Sequence, residues 1–374
     1  MEIQMVDLNG QYLKIKKEVD KAIQNVIDTS SFINGSQVNN FSINLGKYLK
    51  SEFVVTCGNG TDALQIALMS LGLQQDDEVI VPSFGYVAAV EVIVLLRLKP
   101  VMVEVDPDTF MVTAKTFKKA ITGKTKVIIP IHLFGQCADM EEIMKIAQDH
   151  EIFVVEDTAQ AIGADYTFSD GTVKKAGTIG NIGCTSFFPS KNLGCFGDGG
   201  AIYTDDEVLA MRCKMIANHG QSTKYYHTAV GLNSRLDSIQ AGILGVKLEY
   251  IDIYKVARQY VASAYDNAFG NLDWITIPKR EIKSTHVFHQ YTLKLNKKVS
   301  RDHFREYLNM RGIPSMIYYP MPMHLQDAYS NQGYQVGDFP ISEELAKRVI
   351  SLPIHTEMDK NQLDFITSTV KSYE

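Results

Sequence analysis

Cysteine is scarce and scattered: Cys57, Cys137, Cys184, Cys195 and Cys213 are odd in number and form no CxxC pair. Neither a disulfide framework nor a thiolate zinc site has that spacing, so free thiols in a reducing compartment are expected. The nine histidines show no HxxxH or HExxH grouping, and no metal centre is expected. Positive charge is not in excess, since 37 Lys and Arg face 43 Asp and Glu for a net charge of -6. Such a chain has no global field to hold a nucleic-acid backbone. Long apolar runs are missing as well. The most apolar stretch, residues 87–98, contains Glu91 and Arg97 and is too short to cross a bilayer. Residues 1–13 carry Glu2 and Asp7 where a secretory signal would be basic and then apolar. A cytoplasmic protein away from membranes is the expectation.

What remains is globular material: 374 residues, 45% hydrophobic and 21% charged, enough for one large or two to three ordinary domains. Tyr12, Ile15, Val19, Ile23, Val26 and Ile27 recur at helical steps, and a second such stripe runs through Phe41, Leu45 and Leu49. Short β-branched runs then alternate with helical patterns. Residues 78–81, 101–105, 127–131 and 152–155 read as strands, with a helix over 140–148. This alternation predicts a mostly parallel sheet covered on both faces. Beyond Gly199-Gly200 the pattern changes. Residues 236–258 read as one long helix carrying Leu244, Leu248 and Ile251, and the remainder mixes short strands with helices. The expected division is a large α/β domain over 1–245 and a small α+β domain over 246–374.

In open α/β sheets ligands sit beyond the carboxyl ends of the strands, which directs attention to three segments. Cys57-Gly58-Asn59-Gly60-Thr61-Asp62 precedes a helical run and presents free N–H groups with the positive end of a helix dipole, a cradle for phosphate. Glu156-Asp157-Thr158-Ala159-Gln160 follows an almost purely hydrophobic strand and offers a carboxylate for a cationic ring nitrogen and an amide for a neighbouring oxygen. Lys191 lies between a strand and the glycines Gly194, Gly197, Gly199 and Gly200. Taken singly, these are a capped helix, a loop acid and a surface lysine. Taken together, they are the parts that a pyridoxal phosphate enzyme needs.

The segments also resemble a known family. Residues 58–64, 81–86, 156–161 and 186–200, Asn218-His219-Gly220, residues 231–236, 286–291 and 319–326 are similar, in order, to the DegT/DnrJ/StrS sugar aminotransferases. That resemblance implies fold type I, the aspartate aminotransferase-like α/β fold, with a large mostly parallel sheet and a smaller C-terminal α+β domain. It implies that Lys191 carries pyridoxal 5'-phosphate as a Schiff base, with pyridoxamine phosphate as the intermediate form. It gives Asp157 to the pyridine nitrogen, Gln160 to the phenolic oxygen and Tyr86 to the face of the ring. Gly60, Thr61, Asp62 and Ser186 fall to the phosphate. Asn233 matches a residue reaching the phosphate from a neighbouring subunit, so a homodimer with shared sites is expected. Gly85 stands where Thr is usual, and Tyr318 where many relatives have His. Relatives that dehydrate sugars carry His in place of the lysine, so Lys191 implies amino transfer.

The implied reaction moves the amino group of L-glutamate onto a keto carbon of a nucleotide-linked sugar. Residues 90–93, 132–136 and 218–221 look most like the enzymes of 2,3-diamino-uronic acid synthesis for surface polysaccharide or lipopolysaccharide. Their acceptor is UDP-2-acetamido-2-deoxy-3-keto-glucuronate. Its C6 carboxylate calls for a fixed cation, for which Arg235 is the candidate, with Tyr318, Tyr319 and His324 as further substrate contacts. A dTDP-3-keto-6-deoxyhexose is the alternative acceptor, and a regulatory or sensory protein of the same fold the alternative of another class.

Overall fold

The computed structural model describes residues 2–373. The first amphipathic stripe forms two helices, α1 (Leu8–Lys14) and α2 (Lys16–Thr29), interrupted at Ile15; α3 (Ser36–Leu49) follows. β1 (Phe53–Cys57) leads into α4 (Gly60–Ser70). Strands and helices then alternate through β2 (Glu78–Pro82), α5 (Ala88–Leu95), β3 (Lys99–Val103), α6 (Ala114–Ala120), β4 (Thr125–Ile128), α7 (Met140–Asp149) and β5 (Phe153–Asp157). A short hairpin, β6 (Asp165–Thr167) and β7 (Val173–Lys175), precedes β8 (Ile182–Ser186) and β9 (Gly200–Thr204).

Seven of these strands form one sheet in the order β1-β9-β8-β5-β4-β2-β3. All run parallel except β9, which pairs antiparallel with both its neighbours. Burial on both faces explains why β2 and β9 are buried at every residue and why β2 carries the apolar run Val79-Ile80-Val81. The carboxyl ends of β1, β2, β4, β5 and β8 therefore share one edge of the sheet. The β3 strand starts two residues earlier than its hydrophobic run suggests, at Lys99-Pro100. It is the edge strand, where a proline without an N–H is tolerated.

Next come α8 (Glu207–Ala217), the hairpin β10 (Gln221–Thr223) and β11 (Tyr226–His227), α9 (Ser238–Leu248) and α10 (Ile251–Phe269). The single helix expected over 236–258 is thus two, separated at Glu249 and Tyr250. The last part contains β12 (Ile275–Thr276), β13 (Tyr291–Leu295), α11 (Arg301–Asn309), α12 (Pro340–Arg348), β14 (Val349–Leu352) and α13 (Lys360–Lys371). Its strands make an antiparallel three-stranded sheet. A separate core forms where Val261, Tyr265 and Phe269 of α10 meet Leu293, Ile350 and Ile366. By contrast Ala241, Leu244 and Leu248 of α9 pack with Phe41, Leu45 and Leu49 of α3. We propose that the two domains divide at the α9–α10 break, a few residues beyond 245. Among the described residues no helix is long and apolar enough to cross a membrane.

Candidate active site

A cavity of about 630 Å³ opens where the carboxyl ends of the strands meet the segment before β13. Lys191, Asp157, Gln160 and Ser186 line it, together with Gly60, Thr61 and Asp62 at the start of α4 and with Tyr86, Tyr318 and Tyr319. Sequence-distant segments converge there because each follows a strand of the same sheet or faces that sheet from the small domain.

The start of α4 is built for an anion. Asn59 caps the helix, its side-chain oxygen accepting from the Asp62 N–H at 2.8 Å. That leaves the Gly60 and Thr61 N–H groups as the unengaged donors of the first turn, while the backbone N–H of Asp62, one of the residues expected at the phosphate, is already spoken for. The approach to β8 is close. A Cβ on Gly60 would lie 2.6 Å from the Ser186 Cβ, and one on Gly200 would lie 2.3 Å from the Asn59 carbonyl oxygen. Glycine at both positions lets the helix start and the Ser186 hydroxyl bound one concavity. Ser234, which sequence reasoning passed over, locks it: its Oγ accepts from the Gly58 N–H at 2.9 Å and donates to the Asp62 carboxylate at 2.6 Å.

The two neighbouring acids at the end of β5 point to opposite faces, as strand alternation requires. Glu156 is fully buried away from the cavity and accepts from His132 Nε2 (2.8 Å) and from the backbone N–H groups of Gly177, Ile179 and Gly180 at 2.8, 2.7 and 2.5 Å. Its role is to pin the 177–180 turn to the sheet. Asp157 lines the cavity. Its Oδ1 accepts from the Ala159 N–H at 3.0 Å, and Oδ2 takes no hydrogen bond from a described residue. Burial pushes its carboxyl up, while the Ala159 N–H and the nearby Lys191 charge work the other way. A cationic ring nitrogen set against Oδ2 would give the carboxylate the direct partner that no described residue supplies.

Lys191 sits on the loop after β8. Burial lowers its amine to about 8, with Asp157 opposing the shift. Among the described residues no carboxylate lies within ion-pairing distance of its Nζ. His289 also lines the cavity and is held neutral, pushed well below the ordinary histidine range by burial and then by the charges of Lys191 and Arg258. Two further buried cations hold the surroundings. Lys247 donates to the Gly194 carbonyl at 2.6 Å, and Arg258 donates to the carbonyls of Phe288 and Ile354 at 3.1 and 3.0 Å.

Gln160 is oriented by the chain itself. Its Oε1 accepts from the Phe134 N–H at 2.7 Å, and its Nε2 donates to the Tyr319 hydroxyl at 2.9 Å. Tyr86, 55% exposed, stands at the mouth with its ring centroid 6.2 Å from that of Tyr319.

Three expected site residues are not brought into this cavity. His324 lies on a short turn that docks into the core; its Nε2 is 3.2 Å from Glu343 Oε1 and its ring packs edge-on against Phe339, so it faces α12 and not the site. Asn233 is exposed and bridges Asn218, and the half-buried Arg235 has no ion-pair partner among the described residues. Conversely, Cys184, Phe188, His289 and Gln290 line the cavity without having been assigned a role. His289 and Gln290 were legible only as part of the 286–291 segment that resembles the family.

The site fits pyridoxal 5'-phosphate: an anion cradle that a Cβ would fill, a buried carboxylate with a free oxygen, and a lysine whose amine is available near neutrality. Fold and site together define a fold type I pyridoxal phosphate aminotransferase. The chain belongs to the DegT/DnrJ/EryC1/StrS aminotransferase family, whose model matches residues 13–371. It is 40% identical to the pleiotropic regulatory protein of Geobacillus stearothermophilus, over 100% of this chain and 99% of that protein. It is 39% identical to the UDP-2-acetamido-2-deoxy-3-oxo-D-glucuronate aminotransferase of Pseudomonas aeruginosa, covering 98% and 99% of the two chains. Identity is 35% to the dTDP-3-amino-3,4,6-trideoxy-alpha-D-glucose transaminase of Streptomyces venezuelae, over 99% of this chain and 96% of that one. The crystal structure of S. venezuelae DesV in complex with a ketimine intermediate superposes with a TM-score of 0.94 at 36% identity, covering 99% and 98% of the chains. The protein is a sugar aminotransferase acting on nucleotide-linked sugars.

Proposed function

We propose that the protein transfers the amino group of L-glutamate to C3 of UDP-2-acetamido-2-deoxy-3-keto-glucuronate, in the synthesis of a bacterial surface polysaccharide. The observation that carries amino transfer is Lys191 in the same cavity as Asp157 and the α4 cradle. Bound there, the cofactor carries the amino group and takes up the electrons released at the donor's Cα. The chain's own groups do the rest. Gly60, Thr61 and Ser186 hold the phosphate, and Asp157 keeps the ring nitrogen protonated. Lys191, its amine lowered to about 8, holds the cofactor and moves the proton at the reacting carbon.

The acceptor rests on charge. Asp62, Asp157 and Asp198 line the cavity, and Lys191 is the one lysine or arginine among the lining residues. The proposed acceptor is a polyanion, with a diphosphate and a carboxylate, so this chain's cavity alone repels it. Arg235 and Asn233, which do not line it, complete the site of a second copy in a C₂ dimer. The Arg235 guanidinium then matches the C6 carboxylate bidentately. The P. aeruginosa relative carries that uronate in its name, which supports this acceptor; the S. venezuelae relative supports a dTDP-linked 6-deoxy sugar as the alternative. The regulatory name of the G. stearothermophilus relative comes with no feature of this structure that favours a signalling role.

The test is a panel of keto nucleotide sugars with wild type and Arg235→Ala. Loss of one charged hydrogen bond costs about 1.5–3 kcal/mol, so the variant loses about ten- to a hundredfold in kcat/KM on the uronate and little on a 6-deoxy sugar. An equal loss on both, or a wild-type preference for the deoxy sugar, removes the uronate assignment.

A further inference from the structure

The hydrogen-bond chain from Phe134 through Gln160 to Tyr319 has only one possible direction. The Phe134 N–H is a donor and nothing else, so the atom of Gln160 facing it at 2.7 Å is the amide oxygen. The amide nitrogen therefore faces Tyr319 at 2.9 Å and donates to the phenol oxygen. Gln160 cannot flip without setting two N–H groups against each other. The Tyr319 oxygen is an acceptor in this chain, and its own hydrogen is left to point elsewhere. Both residues line the cavity, and the second N–H of Gln160 is likewise unspent. Tyr319 comes from the segment after α11 and Gln160 from the loop after β5, so large and small domains each contribute one donor.

We propose that Tyr319 is an obligate hydrogen-bond donor that, beside Gln160, forms a two-donor hole for the phenolic oxygen of the cofactor. This rests on the pyridoxal phosphate reading and moves Tyr319 from substrate contact to cofactor contact. An anionic oxygen at that place satisfies both hydrogens, whereas a ligand N–H or cationic group there meets two donors. Burial keeps the Tyr319 phenol protonated well beyond neutral pH, with the Gln160 bond acting in the opposite sense. The titratable groups facing Tyr319 are Asp157, Tyr318 and Tyr86, and those facing Lys191 are Asp157 and His289.

Donors on the phenolic oxygen make it less basic, so it holds the neighbouring proton of the Lys191 linkage less tightly. The experiment is a pH titration of the visible absorbance of the cofactor-loaded protein without substrates. Tyr319→Phe raises the midpoint by about one pH unit, the order expected for one charged hydrogen bond. Gln160→Glu tests direction with the hydroxyl still present. One carboxylate oxygen keeps the Phe134 N–H and the other draws the Tyr319 hydrogen away, so both donors are lost and the midpoint rises at least as far. A purely structural role for Tyr319 predicts no such agreement between the two variants. An unchanged midpoint in Tyr319→Phe that still loads cofactor overturns the proposal, and so does a fall in either variant. A wild type that shows no visible band on adding pyridoxal phosphate overturns the cofactor reading instead.

Discussion

Replacing Gly60 by alanine tests the phosphate cradle at its tightest point. The new Cβ would lie 2.6 Å from the Cβ of Ser186 and 3.2 Å from its Cα and its Oγ. Carbon atoms settle at about 3.5–4.0 Å, so the start of α4 must retreat from β8 by roughly 1 Å. Neither side yields easily. Ser186 ends a strand paired with β9, and α4 buries Ala63, Leu64, Ile66 and Ala67 in the main core. The movement separates the Gly60 and Thr61 N–H groups from the Ser186 hydroxyl, so a phosphate held by one side loses the other. One charged hydrogen bond lost is about 1.5–3 kcal/mol, roughly ten- to a hundredfold in Kd for pyridoxal phosphate. Overpacking costs the fold about 1–3 kcal/mol, small enough to leave the domain folded. The assay is a pyridoxal phosphate titration followed by visible absorbance, with circular dichroism to confirm the fold. A folded Gly60→Ala protein that binds with the wild-type Kd refutes the assignment of the cradle to this helix start.

Two further outcomes follow from the neighbouring groups. With its amine lowered to about 8, Lys191 is deprotonated in roughly one chain in ten at pH 7, against about one in three thousand for an ordinary lysine. Covalent capture of pyridoxal phosphate by the apo-protein, trapped with borohydride, therefore accelerates about tenfold per pH unit below 8 and levels off above it; a rise continuing to pH 10 contradicts the burial argument. The adjacent acids separate by effect. Glu156→Gln sets its amide nitrogen against two of the four donors, since each carboxylate oxygen accepts from two, and destabilises by at least about 3 kcal/mol, read as a lower Tm without cofactor, while Asp157→Asn keeps its Tm and loses turnover. Equal Tm losses would mean that the two faces of β5 are misassigned.

Four of the seven strands, β2 to β5, were legible because parallel strands buried on both faces announce themselves as β-branched runs, whereas β1, β8 and β9, with Thr, Cys, Gly and Ser among their residues, did not. Alternation along β5 also sorts Glu156 from Asp157, since only one of two neighbours can face the cavity. The break at Glu249 and Tyr250 was not legible. Leu244, Leu248 and Ile251 keep steps of four and three across it, so hydrophobic periodicity continues where the backbone does not. His324 shows another limit: residue type names a plausible ligand, but the turn that buries Met323 and His324 against α12 is a matter of tertiary packing. The direction of the chain from Phe134 to Tyr319 was beyond reach as well, because it joins residues up to 185 positions apart, from 134 to 319. Asn233 and Arg235 are the reverse case: neither lines the cavity of this chain, and the role proposed for them lies in a second copy.

The central claim is that this cavity passes an amino group to a keto nucleotide sugar through Lys191. Its most direct measurement is a single turnover: protein loaded with pyridoxamine phosphate is mixed with excess UDP-2-acetamido-2-deoxy-3-keto-glucuronate, and aminated sugar is counted by mass spectrometry. The account predicts one amine per loaded site from wild type, with return of the visible absorbance, and none from Lys191→Ala. Aminated sugar from Lys191→Ala at the wild-type rate, or none from wild type with this or any other keto nucleotide sugar, would contradict it.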